Sequence, residues 1–429
     1  MLPQGFPITA ESHSTRDRCL VGFLLFLLLL LPKLGVYDLS ILPLALWFAV
    51  AGFRRRYSLK IVGWMDVLLL AWWILLGIGV CGYLYNGIYY AEILFKPARQ
   101  IVLIVLLAAL FQYVRVPFQT LGKAVIFAAT VNGLIIFTQY ILNLTHISSD
   151  FMIMPAFADY YIQSYRKPGL YAGYPVAGMM GVYGLIFSAN VLRSKRSFFY
   201  ASTLVICGFS ILLTSRTAII FEILAIILFV LPLFFSTSGR LIRFSALSIA
   251  LVLGAAGLIK SGKLNQDTVN EMIHPFVKLA EGEVVAVPSV DALMGSYGNF
   301  PMKDSTWLVG NGLTMKTDEG VSVDDGFQVV LFGGGAIYLL ILMLLPFLYF
   351  ALPLRMRLSK YDKRALFFIY AMNFLSNAKG SYLFSRALGD VLVIITIYSI
   401  CEASRTFARV QRMSDPIDAG MMTTSKIVS

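Results

Sequence analysis

The chain has 429 residues, 58% of them hydrophobic and 14% charged, against roughly 45–50% and about 25% in soluble domains, and this rules out an ordinary water-soluble fold. Lys and Arg number 35 against 23 Asp and Glu, a net charge of +12. Because apolar stretches recur from residue 19 to residue 403, that excess is read as the loop charge of a membrane protein and not as a nucleic-acid surface.

A helix needs about 20 apolar residues to cross the hydrocarbon layer. In chain order the sequence predicts about twelve spans, at 19–36, 38–53, 62–84, 98–114, 121–143, 171–192, 198–214, 217–235, 244–259, 327–350, 365–381 and 386–403. The fold class is therefore all-α and polytopic, one transmembrane domain over 1–429. The segments 144–170 and 260–326 lie on one side, and a tail, 404–429, lies on the other. The shorter spans leave tilted, merged or re-entrant variants open. The first apolar run follows 18 residues and lacks a small-residue cleavage site, so a retained helix is expected in place of a signal peptide.

A cytoplasmic N-terminus puts 22 of the 35 basic residues inside, among them Arg54, Arg55 and Arg56, then Arg355, Arg357, Lys360, Lys363 and Arg364. The positive-inside rule thus predicts both termini in the cytoplasm and the two long segments outside. Within the longer one, Thr268 and Glu271 form a capping pattern, and Val269, Ile273, Phe276 and Ala280 follow at helical spacing. This predicts an amphipathic helix lying on the outer surface. Its remaining Gly and Pro residues read as turns that wall a cavity.

Four cysteines without a CxxC pair, three histidines without HExxH, and no GxGxxG or GxxxxGK[ST] give no metal or nucleotide motif. No metal and no cofactor are expected. Candidate chemistry rests instead on charges at outer helix ends, where an ionised group is costly unless it meets water, a partner or a ligand. Arg99 opens the fourth span, Arg166 lies in Arg166-Lys167-Pro168-Gly169, Arg216 sits in a tight turn, and Arg386 opens the last span. Converging guanidinium groups suit a diphosphate; snorkelling to lipid phosphate or local pairing is the competing reading.

Glu222 falls about one and a half turns into the eighth span, as a base or arginine orienter, or as a structural ion pair or protonated carboxyl. His274 is either a proton carrier or simply exposed. Asp324 and Asp325, where the long loop re-enters, are candidates to deprotonate or bind a sugar hydroxyl, and equally good N-caps. The outer tyrosines, Tyr171 among them, are read mainly as an interfacial belt. The glycines 169, 173, 178, 181 and 184 are read as close-packing positions.

Arg166-Lys167-Pro168-Gly169 before a glycine-rich span, Ser215-Arg216-Thr217 between spans, and Gly310-Asn311-Gly312 ahead of Asp325-Gly326 and Gly333 complete a pattern. From about 86 to 400 the chain resembles the O-antigen polymerase and ligase superfamily. The resemblance implies a fold like that of the C-type membrane glycosyltransferases, with a large periplasmic loop, in the bacterial inner membrane. It implies metal-independent glycosyl transfer at the periplasmic face, with undecaprenyl diphosphate-linked glycan as donor and acceptor. Membrane lipids, and a chain-length regulator as a candidate, are the partners; nucleic acid is not.

Arg99, Arg166, Arg216 and Arg386 would hold the diphosphate, with Arg216 also stabilising the departing charge and Asp324 or Asp325 acting on the incoming hydroxyl. Ligases of the superfamily carry a histidine where this chain reads Val323-Asp324-Asp325-Gly326, which favours the polymerase branch. The alternatives are a ligase acting on lipid A core, a lipid-linked sugar transporter or flippase, which would be expected to show repeated halves and interrupted helices, and a membrane scaffold.

Overall fold

In a computed structural model the described residues are 15–34, 37–54, 63–86, 91–145, 147, 166–171, 173–195, 197–234, 278, 308, 310, 326–356, 358–378 and 383–414. The expected span at 244–259, the surface helix around 269–280, His274, Asp324 and Asp325 lie outside them.

Helix α1 (Thr15–Leu30) leads into a two-residue antiparallel ladder, β1 (Lys33–Leu34) with β2 (Tyr37–Asp38). Then come α2 (Leu42–Arg54), α3 (Trp64–Asn86), α4 (Ala91–Tyr113), α5 (Phe118–Leu144), α6 (Tyr174–Ser194) and α7 (Phe198–Leu212). The next rod is α8 (Arg216–Ala225), a π-helical turn (Ile226–Val230) and α9 (Leu231–Phe234). The last three are α10 (Gly326–Leu354), α11 (Lys360–Ser376) and α12 (Leu388–Ser414). Among the described residues, six stretches are long and apolar enough to cross a membrane: Trp64–Tyr85, Ile93–Tyr113, Phe118–Leu144, Tyr174–Ser194, Arg216–Leu233 and Gly326–Leu354.

The packing follows from small residues. Thirteen consecutive positions of α6, Ala177 to Ala189, are buried, because a Cβ on Gly178 would meet Ala218 at 2.5 Å, one on Gly181 would meet Ile211 at 2.7 Å, and one on Gly184 would meet Ala129 at 2.5 Å. Between apolar helices in lipid, such close backbone approach supplies the attraction that water supplies elsewhere. Helix α12 is the second core element, buried from Leu388 to Cys401. Large apolar side chains such as Leu46, Leu70, Trp73, Leu84, Ile227, Leu340 and Phe347 face outward. A soluble monomer rarely shows so much exposed apolar surface, and a lipid-facing wall requires it.

Two helices depart from regularity. Pro97 lies inside α4 and cannot donate to the Ile93 carbonyl, which instead accepts the Tyr338 hydroxyl at 3.3 Å. Helix α4 therefore starts at Ala91, and Arg99 sits two turns in and not at the opening expected from sequence. Helix α10 is broken at Gly335 (φ 82°), where Leu308 and Gly310 press so closely that a Cβ would meet the Leu308 carbonyl oxygen at 2.2 Å.

The contacts at the two ends show that the helices alternate in direction. At one end Arg99 meets Asp38 and Asp390, and Gly326 N–H donates to the Asn377 carbonyl. At the other, the Tyr398 hydroxyl donates to Val116, Arg193 to the Phe229 carbonyl of the π turn, and Arg405 to Phe111.

Candidate functional site

Two fixed backbone segments build the first of these ends. Asn132 and Gln139 stand seven residues apart on α5, two turns, and so share one face. The Gln139 amide both donates to the Gly169 carbonyl (3.1 Å) and accepts from its N–H (3.0 Å), while Asn132 Oδ1 accepts from Leu170 N–H (2.8 Å). Lys167 N–H donates to the Leu213 carbonyl at 2.8 Å, which straps residues 166–171 to the turn before α8. That turn is capped by Ser215, whose side chain accepts from Ala218 N–H. Arg166, the buried Lys167 and Arg216, the first residue of α8, thereby come to one neighbourhood.

Gly169 is not the packing glycine expected from sequence. It holds φ +64°, and a Cβ there would meet Asn132 Oδ1 at 2.2 Å. Gly169→Ala is expected to release the strap from α5 while the protein still inserts in the membrane. Limited proteolysis of the variant, with new cleavage near 166–171, checks it.

The second segment is the turn 383–388. Phe384 (φ 54°) and Ala387 (φ 66°) occupy left-handed backbone without being glycine, a strain that persists only where surroundings over-determine it. The Phe384 ring packs on Trp72 and Tyr349 at 5.1 and 4.9 Å between centroids. Gln100 donates to the Phe384 carbonyl, Lys96 to that of Leu383, and Leu383 N–H to Asn377 Oδ1. Ala387 N–H donates to Asp390 Oδ2 at 2.9 Å.

Arg99 ties this turn to the N-terminal hairpin. Its Nη1 and Nη2 donate to the two oxygens of Asp390 at 2.5 and 2.9 Å, Nη2 also reaches Ser40 Oγ at 3.3 Å, and Nε donates to Asp38. Asp38 accepts from Ser40 N–H and Oγ and lies 3.4 Å from Arg386 Nε. Burial pushes the Asp38 carboxyl up, but the Arg99 and Arg386 charges with the Ser40 hydrogen bond outweigh it and hold it below its ordinary value.

The structure brings Arg99, Arg166, Arg216 and Arg386 to one end of the bundle, and it separates their roles. Arg99 has most of its donors committed to Asp38, Ser40 and Asp390, so it orients the turn; a diphosphate would have to displace a carboxylate to reach it. Arg386 is ion-paired to Asp38 through Nε, and its buried Nη2 meets no hydrogen-bond acceptor among the described residues. Arg99 and Arg386 are matched by the carboxylates of Asp38 and Asp390.

Glu222 is buried deeper in α8, against Gly208 of α7. Among the described residues no group of three His, Cys, Asp or Glu could hold a metal ion.

Asp38, Asp390, Asn132, Gln139 and Gln100 escaped the sequence reading. The same rule that selected the arginines, a charge at an outer helix end, applies to Asp38 and Asp390. The seven-residue spacing of Asn132 and Gln139 inside an apolar helix was the signal for the strap.

The fold defines a helical membrane protein with a strained, largely buried, arginine-rich polar end. No protein-family model matches the chain, and no curated protein matches it.

Proposed function

We propose that this protein is a membrane glycosyltransferase that polymerises undecaprenyl diphosphate-linked oligosaccharide repeat units, for O-antigen or a related surface polysaccharide. The observation that carries the reading is the gathering of Arg99, Arg166, Arg216 and Arg386 at one end, with a buried Nη2 of Arg386 that meets no hydrogen-bond acceptor among the described residues. With this reading go twelve spans, a fold like that of the C-type membrane glycosyltransferases, an inner-membrane location, and the arginine end in the periplasm.

In the proposed reaction a hydroxyl at the non-reducing end of one carrier-linked unit attacks the anomeric carbon of the growing chain. The carbon–oxygen bond to the lipid diphosphate breaks, and the hydroxyl proton passes to Asp324 or Asp325. Arg386, Arg166 and Arg216 stabilise the departing diphosphate as its charge develops, and Arg99 acts through Asp390 on the turn that carries Arg386.

The test is reconstitution of the purified protein with an undecaprenyl diphosphate-linked repeat unit, without lipid A, and separation of products by length. A ladder of longer chains supports the polymerase; no elongation by folded protein overturns it, and lipid A core is then added to test the ligase. The break in α10 at Gly335 favours a second reading, a transporter of lipid-linked sugars, since transporters place interrupted helices at their binding sites. Sidedness separates the two. A cysteine replacing Thr145, exposed beyond α5, is expected to react with an impermeant thiol reagent from the periplasm, and one replacing Lys360 only after permeabilisation. A transporter would expose the arginine end to both sides in turn.

A further inference from the structure

Glu222 is the one carboxyl in the apolar stretch Arg216–Leu233. It is 7% exposed, while its neighbours Ile220, Ile223, Leu224 and Ile227 face outward. Its Oε1 lies against α7, where a Cβ on Gly208 would meet it at 3.2 Å, so the carboxyl has its room because residue 208 is glycine. The π turn begins four residues further on, and the Glu222 carbonyl accepts the Ile226 N–H that opens it. Such a turn inserts one residue and so rotates the preceding segment by about 100° about its axis, an irregularity that recurs at functional sites. Arg193 fixes it, donating to the Phe229 carbonyl at 3.2 Å.

Beside Gly208 runs a polar seam. Thr203, Cys207, Ser210 and Thr214 are all buried and follow one another along one face of α7, four, three and four residues apart. Thr203 Oγ1 meets Ser188 Oγ of α6 at 2.9 Å, and Cys207 Sγ meets Thr130 Oγ1 of α5 at 3.9 Å. The seam reaches the arginine end at Thr214, next to the Ser215 cap of α8. Thr203, Ser210 and Thr214 each donate to a carbonyl of their own helix, which leaves their oxygens as acceptors.

Among the described residues no ion pair reaches Glu222. On the elements packed against α8, Tyr183 of α6 accepts from Asn373, Arg193 is spent on Phe229 and the Tyr361 ring, and Cys207 of α7 is turned to Thr130. Arg216 of α8 itself stands six residues and about 9 Å nearer the arginine end. A carboxylate without a cation costs far more in such surroundings than the neutral acid, and an ionisable group kept inside a membrane marks a function by default. We infer that Glu222 is an intramembrane proton-binding site, which holds a proton at neutral pH and exchanges it with water at the arginine end. Exchange replaces one hydrogen by another and leaves the carboxyl neutral. The site is independent of the polymerase reading, and elongation bears on neither result below.

The experiment is infrared spectroscopy of the full-length protein at neutral pH, in a detergent without carbonyl groups, in ordinary and then in heavy water. The wild-type spectrum is expected to hold a carboxylic-acid carbonyl band that moves to lower frequency in heavy water as O–H becomes O–D. Glu222→Gln, of the same shape without the acid, is expected to lose the band. Gly208→Ala, which crowds the carboxyl without removing it, is expected to shift it, and so assigns the band a second time. Three results overturn the inference. No such band from folded wild type means an ionised group with a cation partner. A band unchanged in both variants belongs to another carboxyl, and a band that heavy water does not move belongs to a sealed, structural one.

Discussion

Under the proposed polymerase reading, Arg386→Ala is expected to lower the initial rate of chain elongation by roughly 100–1000-fold, the usual cost of removing one preorganised donor at a developing negative charge. The protein is expected to remain folded. Asp38 keeps Arg99 and Ser40 as partners when Arg386 is gone, so no carboxylate is left buried and alone. The turn 383–388 is held by contacts that do not involve the arginine side chain: Phe384 on Trp72 and Tyr349, and Ala387 N–H on Asp390. A large loss of rate with near-normal melting is therefore the signature of a group that acts on substrate. Arg166→Ala and Arg216→Ala are expected to lose activity with it. Initial rates read from the product ladder check all three variants, and wild-type rates would remove the arginines from the site.

Asp390→Ala is expected to show the opposite pattern, a loss of stability that takes activity with it. Asp390 is fully buried and holds Arg99 through two hydrogen bonds while also accepting from Ala387 N–H. Its removal leaves Arg99 and Arg386 sharing the single carboxylate of Asp38, one positive charge in excess in a buried cluster, at a cost of up to about 3–5 kcal/mol. The left-handed backbone at Ala387 loses its acceptor at the same time. Asp390→Asn keeps an acceptor for Ala387 and gives up only the charge, so it is expected to melt between wild type and the alanine variant. Melting followed by size-exclusion chromatography checks the order. An Asp390→Ala protein that melts as wild type does would mean that Arg99 finds other partners, and that the cluster does not hold the turn.

These two expectations divide arginines that look alike in sequence. Both Arg99 and Arg386 are read there as cations at outer helix ends, with substrate binding and local pairing left open. The partners that decide between these roles stand 61 and 291 residues from Arg99 in the chain, and no local pattern carries such a distance. Pro97 adds to the difficulty. It suggests a helix boundary, yet the chain continues through it because Tyr338 of α10 satisfies the carbonyl that proline abandons.

The membrane character of the chain, the places of its described helices and the gathering of basic residues at one end were legible in the amino-acid sequence. Apolar length sets where a helix can cross lipid, and the cost of an unpaired charge sets where arginine can stand. The reading of Gly178, Gly181 and Gly184 as packing positions belongs with these, because small residues are what apolar helices need in order to approach. Only the tertiary structure decided which charges neutralise each other, that Gly169 is a turn residue bound to Gln139, and that α10 breaks at Gly335. Each depends on residues distant in sequence meeting in space. Such meetings are fixed by the packing of whole helices, and hydropathy and spacing along the chain do not contain them.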